Sequence, residues 1–221
     1  MRISSRIGGA ALFALALAAC GGGSDGGSTD GGDTSGPAPD AGVQVIATGT
    51  WNNIGLGPKS WGWGVLLENP TGEAVRVDMD VNALNAAGEI VDSNPGMWTV
   101  VVAGSQGGIS GGFLGVPEDE KVASIEITRI DTSPSTFGSA ALAISGTTAT
   151  EGSVSGTVTN SSDQALTMAW VTGLLVSGGS VVGGGGTTVD IAAGGSTEFT
   201  VNMTGDLTAD LTVVAAPPYQ L

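Results

Sequence analysis

Apolar and polar positions alternate along most of this chain in short stretches, and Gly, Asn, Asp or Pro interrupts them every ~8–12 residues. From 74 to 84 the sequence reads Ala-Val-Arg-Val-Asp-Met-Asp-Val-Asn-Ala-Leu, with an apolar side chain at every second position through its middle. A period of two is the signature of a strand with one buried face. The same reading predicts strands over 43–51, 61–68, 74–84, 89–93, 98–102, 108–114 and 122–130. A second series follows over 140–145, 152–159, 165–176, 180–182, 187–191, 197–203 and 211–215. Asn69-Pro70-Thr71-Gly72 and Asn160-Ser161-Ser162-Asp163 supply turn chemistry between strands, and Ala86-Ala87-Gly88 and Ser177-Gly178-Gly179 close hairpins. No segment carries a helical period. The expected fold is all-β: two tandem antiparallel β-sandwiches over 43–131 and 139–217, with the boundary near 131–138, where Ser, Thr and Pro134 break the apolar rhythm.

The two series match each other. At an offset of 91 residues Asn69 falls on Asn160, Ala74 on Ala165, Leu84 on Leu175, Gly88 on Gly179, and Gly104-Ser105 on Gly195-Ser196. Val75, Val77, Met79 and Val81 line up with Leu166, Met168, Trp170 and Thr172 without a gap, which reads as an internal duplication. The other strand face differs. Asp78 and Asp80 correspond to Ala169 and Val171, so the second copy of this strand is apolar on both sides. Such a strand needs cover from the first unit, a loop or a partner subunit. Ala169 and Val171 are therefore candidate interaction residues, with cover by the first unit the most economical reading.

Gly156-Thr157-Val158-Thr159-Asn160-Ser161-Ser162, an alternating strand, a hairpin, and then Ile191-Ala192-Ala193-Gly194-Gly195-Ser196-Thr197-Glu198-Phe199 resemble the FxLYD-type Ig-like domains of bacterial envelope proteins. The positions of the naming motif fall on Val81-Asn82-Ala83-Leu84-Asn85 and on Thr172-Gly173-Leu174-Leu175-Val176, without its aromatics or its final Asp. The resemblance implies Ig-like sandwiches serving as an extracytoplasmic binding or spacer module, and it brings no catalytic residues.

The first forty residues follow another logic. Arg2 and Arg6 precede an apolar run over 7–19, small residues, and the chain's single cysteine, Cys20. Thirteen residues are too few to span a bilayer, which takes ~20. The order of charge, apolar run, small residues and Cys resembles the lipobox of bacterial lipoproteins, which implies a signal peptide over 1–19 and lipid attachment at Cys20. Residues 20–42 then read as the lipidated cysteine and a disordered Gly/Asp-rich linker, reaching on the order of 26 Å as a flexible coil. Gly21, rather than Asp, follows the cysteine and points to the outer membrane.

Removal of the signal would leave Lys59, Arg76, Lys121 and Arg129 against 21 acids, a net charge of −17. That balance argues against nucleic acid as a partner. The chain has no histidine, which excludes Ser-His-Asp and Cys-His catalysis and histidine-ligated zinc. With Cys20 acylated no disulfide can form, so the fold must rest on burial and sheet pairing.

Four of the five tryptophans lie in the first unit: Trp51, Trp61, Trp63 and Trp98. Trp61 and Trp63, two apart on a strand, share a face; exposed, they would make an aromatic platform for a glycan, and buried, they would fill a core poor in Phe and Tyr. The loop Gly57-Pro58-Lys59 places Trp61 near a strand end. Asp78 and Asp80 share the outer face beside Arg76, either as a weak calcium pair or as a solvated polar face. The run Gly183–Gly186 reads as a flexible connection. The expected function is that of a lipid-anchored cell-envelope protein, non-enzymatic and without a cofactor, which binds, scaffolds or spaces. Glycan or peptidoglycan recognition through first-domain tryptophans is the alternative, and a carboxylate-based hydrolase a third reading.

Overall fold

A computed structural model of the chain describes residues 42–52, 60–135 and 142–217, which lie within one compact unit. The first half forms β1 (Gln44–Asn52), β2 (Trp61–Asn69), β3 (Val75–Leu84), β4 (Ile90–Val101), β5 (Ser105–Phe113) and β6 (Ser124–Pro134). The second half forms β7 (Leu142–Thr150), β8 (Ser153–Asn160), β9 (Leu166–Ser177), β10 (Ser180–Ile191), β11 (Ser196–Asn202), the two-residue β12 (Thr204–Gly205) and β13 (Asp210–Ala216). The chain is all-β, as expected, in sheets that are antiparallel except for one parallel pair and are arranged as sandwiches.

Both halves repeat one topology. In the first, β1-β2-β5 faces β4-β3-β6; in the second, β7-β8-β11 faces β10-β9-β13. The alternating residues of β3 put Val77, Met79, Val81 and Ala83 into the first core with Trp63, Val65, Leu67 and Phe113. Val154, Val158, Phe199 and Val201 meet Leu166, Ala169, Val171 and Leu175 in the second. The offset of 91 reappears in four hydrogen bonds. Asn69 and Asn160 are fully buried. Asn69 accepts from the Thr71 backbone and hydroxyl and donates to the carbonyls of Glu73 and Val101. Asn160 repeats this with Ser162, Gln164 and Ala192. Each side-chain amide thereby uses its whole bonding capacity to close a turn.

The two sandwiches are fused. β1 of the first pairs in parallel with β10 of the second, making one continuous sheet ordered β13-β9-β10-β1-β2-β5. This sheet doubles over, so that the outer face of β1-β2-β5 lies on the outer face of β10-β9-β13. Between them sits a third apolar cluster of Ala47, Trp51, Leu66, Leu174, Val181 and Val214. The result is four layers of strands with three cores. β2 and the stretch of β9 from Val171 to Leu175 are consequently buried on both faces.

Glycine makes the middle seam possible. A β-carbon on Gly62 would fall inside the Trp51 ring, and one on Gly49 would fall on the Val181 carbonyl. The Leu174 side chain occupies the hollow left at Gly64, Gly108 and Gly184.

Three expectations change. Residues 89–93 and 98–102 belong to one strand, β4, in which a bulge at Pro95-Gly96 stands opposite Asp80. Residues 180–182 and 187–191 join through Gly183–Gly186 into β10, whose glycines pair with Thr172–Leu175 of β9. That run is a buried strand rather than a flexible connection: side chains at Gly183 or Gly185 would meet the backbone of Thr204 or Asn202. β6 also continues to Pro134, into the expected boundary.

Asn160→Ala should destabilise the fold by at least about 2 kcal/mol, because two carbonyls and a backbone N–H lose their partner. Leu174→Ala should cost about 2–5 kcal/mol, since it empties the seam. Urea unfolding followed by tryptophan emission measures both, and the shared middle sheet should give a single transition for the two halves.

Candidate functional site

The residues singled out in the sequence do not gather at one place. Cys20 and the linker through residue 41, and the loop at 57–59, lie outside the described residues. Trp63 is fully buried, its ring centroid 6.1 Å from that of Phe113 and its indole N–H donating to Asn94 Oδ1 at 2.9 Å. Trp61 packs half-buried against the same core. This pair does share a face, but the face is internal, so it offers no platform to a glycan.

Ala169 and Val171 are also fully buried, in the core of the second sandwich rather than on its outer face. The cause is a bulge. Met168 adopts a left-handed φ of 59°, its N–H donates to Asp190 Oδ1 at 2.8 Å, and the β9–β10 register shifts there. The shift makes Leu166 and Ala169, three residues apart, point the same way. It turns Trp170, Thr172 and Leu174 onto the opposite face. The second apolar face is thus real, but other residues form it, and the first sandwich covers most of it.

Asp78 and Asp80 each hold an arginine. Asp78 makes a two-pronged ion pair with Arg76, whose guanidinium carbon lies 5.3 Å from the centroid of the Trp98 ring. Asp80 accepts from Nε and Nη2 of Arg129 at 2.8 and 3.0 Å and from the Gly96 N–H at 2.7 Å. The Arg129 guanidinium, joined by the Gly96 N–H, draws the Asp80 carboxyl down to about 2. Arg129, gripped also by Asp131, is held protonated more firmly than a free guanidinium. Among the described residues no three His, Cys, Asp or Glu side chains come together as a metal site.

These two carboxylates do position something. Gly96, Met97 and Trp98 form one wall of a cleft of about 460 Å³ at the end of the seam. Asp80 pins the bulge that starts this wall, and the Asp78–Arg76 pair stacks on the indole within it. The floor is Trp51, whose indole N–H donates to Thr204 Oγ1 at 2.8 Å; that hydroxyl donates in turn to the Gly184 carbonyl at 3.3 Å. Opposite stand Trp170 and Thr172 of β9 and the bare backbone of Gly184–Gly186. Ile109 and Ser110 of β5 and Asn202 at the end of β11 complete it.

Three properties define what the cleft can do. Three of the chain's five tryptophans, Trp51, Trp98 and Trp170, line it. The described lining residues include no ionisable side chain. Thr172 is buried, with 5% of its surface exposed, yet its hydroxyl has no hydrogen-bond partner among the described residues. A buried hydroxyl without a partner costs about 1–3 kcal/mol, so water or a ligand must complete it. Trp170 remains 45% exposed at the rim. The sequence held one signal for this site, the lone tryptophan of the second half on a strand apolar on both faces. The bulge at Met168 hid which face Trp170 took.

Asp80 sets the acid response of the cleft wall. Its carboxyl is lowered in the folded chain relative to ~3.9 when unfolded, so its contribution is complete above about pH 4 and is lost as pH falls through about 2. Between pH 4 and pH 2 the stability of Asp80→Asn should therefore fall less steeply than that of the wild type. Urea midpoints taken across that window measure the difference.

No family model matches the chain, and no curated protein matches it. Among solved structures the chain is similar to a red sea bream transglutaminase, at 11% sequence identity and a TM-score of 0.21, covering 80% of this chain and 30% of that one.

Proposed function

We propose that this chain is a lipid-anchored protein of the bacterial cell envelope, held at the outer membrane through Cys20, with a non-catalytic binding role. We place its binding site in the cleft where the two sandwiches meet. The observation that carries this reading is the cleft lining: three indoles and a buried, unpartnered Thr172 hydroxyl around a space of about 460 Å³. Small-molecule sites are mostly apolar hollows of ~300–1,000 Å³ with a few placed polar groups, and this cleft fits that description. Acid–base chemistry would need a titratable group within reach of the ligand, and the described lining supplies none. Asp78 and Asp80, the two carboxylates that share a strand face, are spent on arginines behind the wall. The fused sandwiches suit a receptor, because sites carried on rigid strands keep their geometry without an ordering cost.

The anchor and the site are tested separately. Cys20→Ser should abolish incorporation of labelled palmitate and release the protein from the membrane fraction; unchanged membrane partition would refute the anchor. The cleft can be filled at Gly186, where a β-carbon would meet only ordinary contacts of 3.7–3.9 Å, among them Ser110 and Trp170. Gly186→Leu should leave the melting temperature within a few degrees of wild type. It should reduce retention of the purified full chain on immobilised envelope extract at least tenfold. Equal retention of both proteins, or none by either, would overturn the cleft as the binding site.

A further inference from the structure

Resting on the cleft as the binding site, we infer that its ligand is a neutral saccharide segment, stacked on Trp170 and Trp98 and hydrogen-bonded to Thr172. The choice follows from excluding other chemistries in turn. An anion would enter a site with no cationic side chain in its described lining, on a chain of net charge −15. A quaternary ammonium is held when several rings converge within about 6 Å of one centre. The cleft offers such a cation only indole faces and neutral polar groups, and a cation–π contact is worth about 0.5–2 kcal/mol. No carboxylate lines the cleft to neutralise such a cation either.

A purely apolar ligand, such as an acyl chain, would seal the Thr172 hydroxyl away from water without a partner, which is unfavourable. A saccharide resolves both demands. The apolar C–H face of a sugar ring matches the flat indole face, and its hydroxyls can both donate and accept. Thr172, Ser110 and Asn202 are neutral groups able to do the same. The bare backbone at Gly186, where a β-carbon would meet nothing closer than 3.7 Å, lets a bulky ring approach closely. The spread of three indoles around the cleft fits a segment of more than one ring.

Thr172 gives a test that separates ligand recognition from folding. In Thr172→Val the shape is kept and the unpartnered hydroxyl removed, so the free protein should be as stable as wild type or more so, while saccharide binding weakens about fivefold or more. The full chain, in a polyoxyethylene detergent free of sugar headgroups, would be titrated by calorimetry and tryptophan emission. The probes are maltohexaose, cellohexaose and chitohexaose, with trigalacturonate, choline and octanol as the charged and apolar alternatives. We expect saturable binding of a neutral hexasaccharide, lost in Gly186→Leu, weakened at least tenfold in Trp170→Ala and weakened in Thr172→Val without loss of stability. Failure of all three neutral sugars overturns the saccharide inference. Binding of choline, trigalacturonate or octanol in their place, abolished by Gly186→Leu, overturns it while upholding the cleft as a binding site. Sugar binding that persists in Gly186→Leu overturns both.

Discussion

Everything in this structure depends on how closely the two middle layers approach. They share one parallel register pair, Thr48 with Ser180, and a backbone hydrogen bond contributes about 1 kcal/mol net. Burial of Leu66, Leu174, Val181 and Trp51 is worth about 1.5–3 kcal/mol for each side chain. Burial therefore holds the seam, and pairing sets its register. That burial exists because Gly49, Gly62, Gly64, Gly108 and Gly184 carry no side chain where Trp51, Leu174 and Val181 must lie. The abundance of glycine, which in the sequence suggests turns, here serves strand-on-strand packing.

The cleft is a product of the same seam. Trp51 belongs to the seam cluster and also to the lining, so the floor of the site is locked by the packing that fuses the sandwiches. Its indole N–H is spent on Thr204, which fixes the ring in place. Each sandwich contributes an aromatic wall, Trp98 from the first and Trp170 from the second. Neither half alone would hold both, which gives the fusion a functional reason in the proposed reading.

The polar outer face of β3 supports the site from behind. Asp80, Arg129 and Asp131 form an exposed network that would contribute little as ion pairs in water. Its consequence is geometric: one Asp80 oxygen also takes the Gly96 N–H and fixes the bulge opposite it. Arg76, aligned by Asp78, does the same for the Trp98 ring. In the second half Ala169 and Val171 replace these two acids, the bulge moves to Met168, and the strand turns those residues inward.

What the sequence determined by itself was the local and repeated part: the strand periodicity, the Asn69 and Asn160 turns, the offset of 91 and the apolar character of both faces of β9. These follow from side-chain alternation and short-range hydrogen bonding, which nearby residues decide. The tertiary structure decided the rest. A bulge of one residue at Met168 reverses every later side chain of β9, because the strand period is two, and no pattern of apolar residues marks where such a slip occurs. The same holds for Trp63, whose place in the core depends on the sheet that covers it, and for Gly183–Gly186, which are strand because neighbouring backbones close on them. Trp51, Trp98, Trp170 and Thr172 are far apart in sequence and became one site through the seam, a contact between the two copies of the repeat that neither copy encodes alone.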